Sequence, residues 1–136
     1  MRILLDTHVL LWALVEPHRL DLATRATIED SAHEVLFSAA SLWEIAIKAA
    51  LGRPDFACDP GEILAAATAT GFVELPVRSE AAVRVASLPR HHRDPFDRLL
   101  VAQAIGEPAR LYTADPLLPP YSALVTLVGR DAGRQD

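Results

Sequence analysis

Short, fully apolar runs alternate along the chain with longer stretches whose apolar residues recur at helical spacing. Arg2-Ile3-Leu4-Leu5 opens as a strand. Thr7 to Val15 then reads as a helix stopped near Glu16, because Pro17 restricts the residue before it. Leu20 to Ser31 carries Leu22, Ala23, Ala26 and Ile28 among polar residues, the pattern of an amphipathic helix. Glu34 to Ser38 is a second short strand. Ala39 to Leu51 is apolar almost all round, which predicts a mostly buried helix, ended by Gly52 with Pro54 beyond. Asp59-Pro60-Gly61-Glu62 has the Asp cap, early Pro and later Glu of a helix start, and that helix runs to about Thr70 before Gly71. Phe72 to Leu75 is a third strand, Ser79 to Ala86 a helix capped by Ser79, and Leu88 to Arg93 a polar, cationic loop. Asp94-Pro95-Phe96-Asp97 opens a strong helix. Arg110 to Asp115 is a fourth strand with an acid at its end, Leu124 to Val128 a fifth, and Gly129 onward a frayed tail.

Apolar strands alternating with helices predict an α/β fold, a mainly parallel sheet with helices on both faces. Right-handed crossovers bring the C-terminal strand ends to one edge of that sheet. The expected layout is one domain over residues 1–129 and a tail over 130–136, with no repeat or interdomain linker.

Composition narrows the function classes. With 51% hydrophobic and 23% charged residues in 136, the chain has ordinary globular content and can bury a real core. A formal net charge of −5 supplies no global basic field, so any nucleic acid would have to be met by local Arg clusters. Cys58 is the only cysteine, which excludes an intrachain disulfide. No apolar run approaches the ~18 residues of a membrane span. Asp6 and His8 interrupt the apolar start that would otherwise mimic a signal peptide, so the expected location is cytoplasmic.

Four acids stand out, each with a bland alternative. Asp6 follows the first strand, where open α/β sheets place their chemistry, and it also suits the cap of the next helix. Glu44 lies in the apolar helix, where an unpaired carboxylate is costly. An i,i+4 pair with Lys48 is its competing explanation. Asp97 shares one helical face with Leu100, Val101 and Ala104, while Arg98 points away and Asp94 serves as the cap. Asp115 ends the fourth strand, with Thr113 two residues earlier on the same side, and Asp115-Pro116 would also start a turn. Four carboxylates converging on one sheet edge repel one another and call for a cation. All-oxygen ligation suits Mg²⁺ or Mn²⁺, the chemistry of phosphodiester hydrolysis. The histidines show no metal-binding spacing; Arg90, His91, His92 and Arg93 read as a solvated loop, with Arg90 and Arg93 available to substrate phosphate. No Gly-rich phosphate loop and no G-x-S-x-G context is present.

Leu5-Asp6-Thr7-His8-Val9-Leu10-Leu11-Trp12, Ser41-Leu42-Trp43-Glu44-Ile45, the stretch from Asp94 to Ala104, and Thr113-Ala114-Asp115 together resemble the PIN-domain nucleases. More narrowly they resemble the VapC toxins of type II toxin–antitoxin pairs, in the family's motif order and over nearly the whole chain. The resemblance implies a Rossmann-like sheet of about five parallel strands and Mg²⁺- or Mn²⁺-dependent endoribonuclease activity on RNA. It further implies a homodimer and a cognate VapB-type antitoxin that blocks the acidic pocket. The family's acids fall on Asp6, Glu44, Asp97 and Asp115, and its active-site hydroxyl on Thr113 or, secondarily, Thr7. His8 departs from the Asn of many members. Three other readings stand beside this one. A receiver-like phosphoacceptor domain would need a lysine near its Asp, and Lys48 is the only lysine. A PIN fold could bind RNA without cleaving it. A haloacid-dehalogenase-type phosphatase would need a second Asp where His8 stands.

Overall fold

The computed structural model describes residues 1–129; the expected tail over 130–136 lies outside them. Five strands form one sheet: β1 (Arg2–Leu5), β2 (Glu34–Ser38), β3 (Val73–Leu75), β4 (Arg110–Thr113) and β5 (Val125–Leu127). Their order is β3-β2-β1-β4-β5 and every neighbouring pair is parallel. Six α-helices connect them: α1 (Thr7–Val15), α2 (Leu22–Glu29), α3 (Ala39–Ala50), α4 (Pro60–Thr70), α5 (Ser79–Arg84) and α6 (Pro95–Gly106).

Strand alternation divides the core between the two faces of the sheet. Ile3 and Leu5 of β1, with Val35, Phe37 and Tyr112, pack against α1 residues Val9 and Leu10 and against Ile45 and Ile63. Leu4, between them in sequence, packs on the other face with Leu36, Leu111, Val125 and the α6 residues Leu100, Val101 and Ala104. Strands buried on both faces carry no polar alternation, which is why Arg2-Ile3-Leu4-Leu5 is so uniformly apolar.

Most expected elements occur within two residues of their predicted ends, and the differences have local causes. The second helix starts at Leu22, because Asp21 is its cap, accepting from the Thr24 amide at 2.8 Å. Pro17–Arg19 instead forms a single 3-10 turn. Ser79 is not a cap but the first helical residue; Arg78 occupies the cap position with no side-chain bond, and Val85–Ser87 tightens to a 3-10 turn. Gly52 and Gly71 end their helices with φ of 73° and 96°, a conformation that glycine adopts without a Cβ penalty. Gly129 is held in place, its carbonyl accepting from the Asp21 amide at 3.1 Å.

The largest correction concerns α3. It is not buried all round: Trp43 is 61% exposed, Leu51 71% and Ile47 36%, along one stripe of the helix. Only its opposite face, with Ala40, Ser41, Glu44 and Ile45, is buried. Glu44 is inside because of that face, and the apolar stripe behind it is surface.

Candidate active site

The strand order reverses direction at β1, whose neighbours are β2 on one side and β4 on the other. Open α/β sheets bind ligands at such a switch point, outside the carboxyl ends of the strands. A cleft of about 560 Å³ lies there, lined by Asp6, Glu44, Asp97 and Asp115 together with Asp55 and Asp94. All four predicted acids are therefore brought together. Among the described residues, the fixed cations of its wall are Arg19, Lys48 and Arg53, against six carboxylates.

Asp6 follows β1 at the wall of the cleft and also caps α1: Oδ1 accepts from the Val9 amide at 2.9 Å. Its backbone amide donates to the Tyr112 carbonyl at 3.0 Å, which ties the ends of β1 and β4 together. Thr113 is thereby set beside it, and the Thr113 hydroxyl donates to Asp6 Oδ2 at 2.5 Å. Burial pushes the Asp6 carboxyl above the ordinary carboxylate range. The Thr113 and Val9 hydrogen bonds and nearby His8 pull it down, and Glu44 adds to the rise.

Glu44 is 2% exposed and fully engaged. Thr7 donates to its Oε1 at 2.6 Å, and Lys48 to its Oε2 at 2.6 Å. The Lys48 pair is thus real, but it sits in the wall of the cleft rather than on an open helix face. Thr7 also reaches Ser41 Oγ at 3.0 Å, so α1 and α3 are joined through buried hydroxyls. Thr113 and Thr7 each hold one acid: Thr113 serves Asp6, and Thr7 serves Glu44.

Asp94 caps α6, accepting from the Phe96 and Asp97 amides at 2.9 and 3.3 Å. One turn on, Asp97 continues the inward stripe of Leu100, Val101 and Ala104, as its spacing predicts. Burial first, then the negative charges of Asp94, Asp6, Glu44 and Asp115, push its carboxyl up to about 8. Asp115 lies two residues beyond β4 and also starts a turn, Oδ1 accepting from the Leu117 amide at 2.9 Å.

Two further residues of the cleft escaped the sequence reading. His92 is not a solvated loop residue: its Nε2 lies 2.8 Å from Asp115 Oδ2 and 3.3 Å from Asp97 Oδ2. The signal available was its position two residues before the Asp94 cap, just ahead of the motif that carries Asp97. Asp55 pairs with His8 at 3.1 Å across 47 residues of chain, a separation over which no local pattern operates. Arg98 turns away from the acids but is tethered, its guanidinium donating to the Val85 and Pro89 carbonyls at 3.0 and 2.8 Å. Arg90 and Arg93 are exposed and, with His92 and Arg98, line a second cleft of about 570 Å³. Neither arginine's side chain has a hydrogen-bond or ion-pair partner among the described residues.

The donor set fits a divalent cation. Asp6, Asp97 and Asp115 have no Lys or Arg partner among the described residues, and two of their carboxyls are raised. Both shifts say that the protein resists ionising these groups without added positive charge. The stability consequence has a definite sign. Asp97 rises from 3.8 to about 8, so its contribution is present below pH ~4 and lost as pH climbs towards 8. A cation needs the carboxylate and competes with its proton. Thermal melts of the metal-free chain are expected to fall between pH 4 and 8, while the increment from Mg²⁺ grows over the same window. Asp97→Asn should flatten both trends; a pH-independent Mg²⁺ increment would contradict the assignment.

Comparison with known proteins adds two findings. The PIN-domain family model matches residues 3–119. Among solved structures, the fold is similar to the crystal structure of VapBC2 from Rickettsia felis bound to a DNA fragment from their promoter, with a TM-score of 0.67. The identity there is 14%, over 92% of this chain and 96% of that one. No curated protein gives a significant match by sequence. Among the described residues, no helix is long and apolar enough to cross a membrane.

Proposed function

The chain belongs to the PIN-domain family, and from that premise we propose that it is a Mg²⁺- or Mn²⁺-dependent endoribonuclease acting as the toxin of a toxin–antitoxin pair. The observation that carries this reading is the convergence of Asp6, Glu44, Asp97 and Asp115 on one cleft at the switch point of the sheet. Asp6, Asp97 and Asp115 would hold the ion, with Glu44 as a further ligand or as the group that orients the attacking water. The bound ion supplies an activated water and stabilises charge developing on the phosphodiester.

The chain's own residues do the orienting. Thr113 and the Val9 amide hold one oxygen each of Asp6, so its carboxylate cannot rotate away from the cleft. Thr7 and Lys48 do the same for Glu44. Arg90 and Arg93, unpaired beside the cleft, suit the phosphates that flank the cleaved bond. If so, Arg90→Ala with Arg93→Ala weakens binding of single-stranded RNA and lowers the slope of log affinity against log salt by roughly 0.7 per lost phosphate contact. An unchanged slope would remove these two arginines from the substrate path.

The resemblance to VapC toxins extends to partners: a cognate VapB-type antitoxin covering the acidic cleft, and a second copy of the chain. The direct test of the function is incubation of the purified chain with single-stranded RNA. Cleavage is expected with Mg²⁺ or Mn²⁺ and none with excess EDTA. Binding of RNA that stays intact with either metal would instead support a PIN-fold binding module.

A further inference from the structure

His92, Asp97 and Asp115 offer donor atoms that all lie within 4.8 Å of one another, the spacing of a three-residue metal cluster. Two roles for His92 fit that distance, and they require opposite tautomers. As a ligand through Nε2 the ring must keep its proton on Nδ1; as a donor to the carboxylates it must keep it on Nε2. The backbone decides between them. Nδ1 faces the amides of Arg93 and Asp94 at 2.8 and 3.2 Å, and both amides donate to it. A nitrogen accepting two N–H groups has no place for a proton, so the proton sits on Nε2, where Asp115 and Asp97 stand.

We propose that His92 is a positioning residue of the candidate metal site, a fixed Nε2–H donor that aligns Asp115 and Asp97 and does not itself ligate the ion. The inference rests on the metal-dependent reading of the cleft and adds a residue to it. The surrounding frame holds the ring in place. Tyr121 Oη accepts from the His92 amide at 2.8 Å and from Arg98 Nη1 at 3.1 Å. Arg98 in turn fastens the preceding loop through the Val85 and Pro89 carbonyls. Arg98 follows Asp97 directly in α6, so one helical turn carries both an acid of the site and the clamp for the residue that orients it. Donors behind ligating groups characteristically change metal affinity by about 10–100-fold when removed.

Three measurements on the full-length chain test this. Long-range proton–nitrogen NMR of the histidine rings should find His92 in the Nε2–H form, both without metal and with saturating Mg²⁺. Finding the proton on Nδ1, or losing it from Nε2 when Mg²⁺ is added, overturns the proposal. Pulsed electron paramagnetic resonance of the Mn²⁺-loaded chain should show no directly coordinated histidine nitrogen; a coordinated nitrogen that disappears in His92→Ala makes it a ligand instead. Calorimetric Mn²⁺ affinity should fall about 10–100-fold in His92→Ala and stay at the parent value in His91→Ala. Parent-like affinity in a folded His92→Ala overturns the positioning role alone. If the parent chain binds no Mn²⁺, the metal reading fails and takes this inference with it. Should His92→Ala fail to fold, the NMR and resonance measurements on the parent decide the matter.

Discussion

Asp6→Asn is expected to lower metal-dependent RNA cleavage by about a thousandfold or more while leaving the chain folded. The loss follows from charge: a neutral amide at position 6 removes one of the anions proposed to hold the ion, and such an ion contributes several kcal/mol to lowering the barrier. Folding survives because Asn keeps the same shape and a carbonyl oxygen that can accept from the Val9 amide, which Asp6 now holds at 2.9 Å. The removed charge was moreover unfavourably buried, its carboxyl already pushed up by desolvation. The melting temperature of the metal-free variant should stay within a few degrees of the parent. Initial cleavage rates at saturating Mn²⁺ and a thermal melt together make the test. A folded Asp6→Asn chain that cleaves RNA at the parental rate would remove Asp6 from the mechanism.

Lys48→Met should carry the largest stability cost, about 3–5 kcal/mol in the metal-free chain. Among the described residues its ammonium is the only fixed cation on Glu44, at 2.6 Å, and Glu44 is 2% exposed. Removing the cation leaves Glu44 with Thr7 alone, a buried charge without its counterion. Methionine keeps the length of the stem, so the variant isolates charge from packing. Two compensations follow. Glu44→Gln added to Lys48→Met should recover much of the loss, because no uncompensated charge remains inside. Saturating Mg²⁺ should narrow the gap between Lys48→Met and the parent, since the ion also neutralises the cluster. Urea midpoints would measure all three; a single Lys48→Met variant within about 1 kcal/mol of the parent would show that the pair is screened by solvent.

Lys48 also shows how a local rule can be right about a contact and silent about where in the fold it sits. The i,i+4 spacing correctly paired it with Glu44, but as a competitor to a functional role. In the fold the same pair is part of the cleft, with the ammonium 4.9 Å from the Phe56 ring and 3.8 Å from Asp94. Spacing along a helix says which side chains meet. It does not say which side of the helix the rest of the chain covers. That is why α3 could be taken as buried all round when Trp43 and Leu51 lie on its surface.

The histidines make the complementary case. His92 lacks any metal-binding spacing, and its neighbours Arg90, His91 and Arg93 are cationic, so a solvated loop was the natural expectation. The loop exists, and Arg90 and Arg93 are exposed on it. His92 is turned inward by the Tyr121 hydroxyl, 29 residues away, and by Arg98 clamping the loop carbonyls. Neither contact has a sequence signature: one reaches across β4 to Tyr121, and the other folds the loop back onto α6.

By itself the sequence determined the elements and the sheet. Apolar runs too short for helices and uniformly hydrophobic enough for two-sided burial can only be parallel strands separated by helices, and chirality fixes which edge collects their ends. It also placed Asp6, Asp97 and Asp115 at one sheet edge, because a strand end, a helix cap and an inward stripe are local properties, and it marked Glu44 by the apolar residues around it. Beyond the i,i+4 pair of Lys48 with Glu44, tertiary structure alone decided how those acids are held: Thr113 on Asp6, Thr7 on Glu44, and His92 between Asp115 and Asp97. The most distant of those partners, Thr113 and Asp6, lie 107 residues apart and are neighbours because β1 and β4 pair at the switch point. Periodicity reports which face a residue takes; only the assembled sheet reports what stands opposite it.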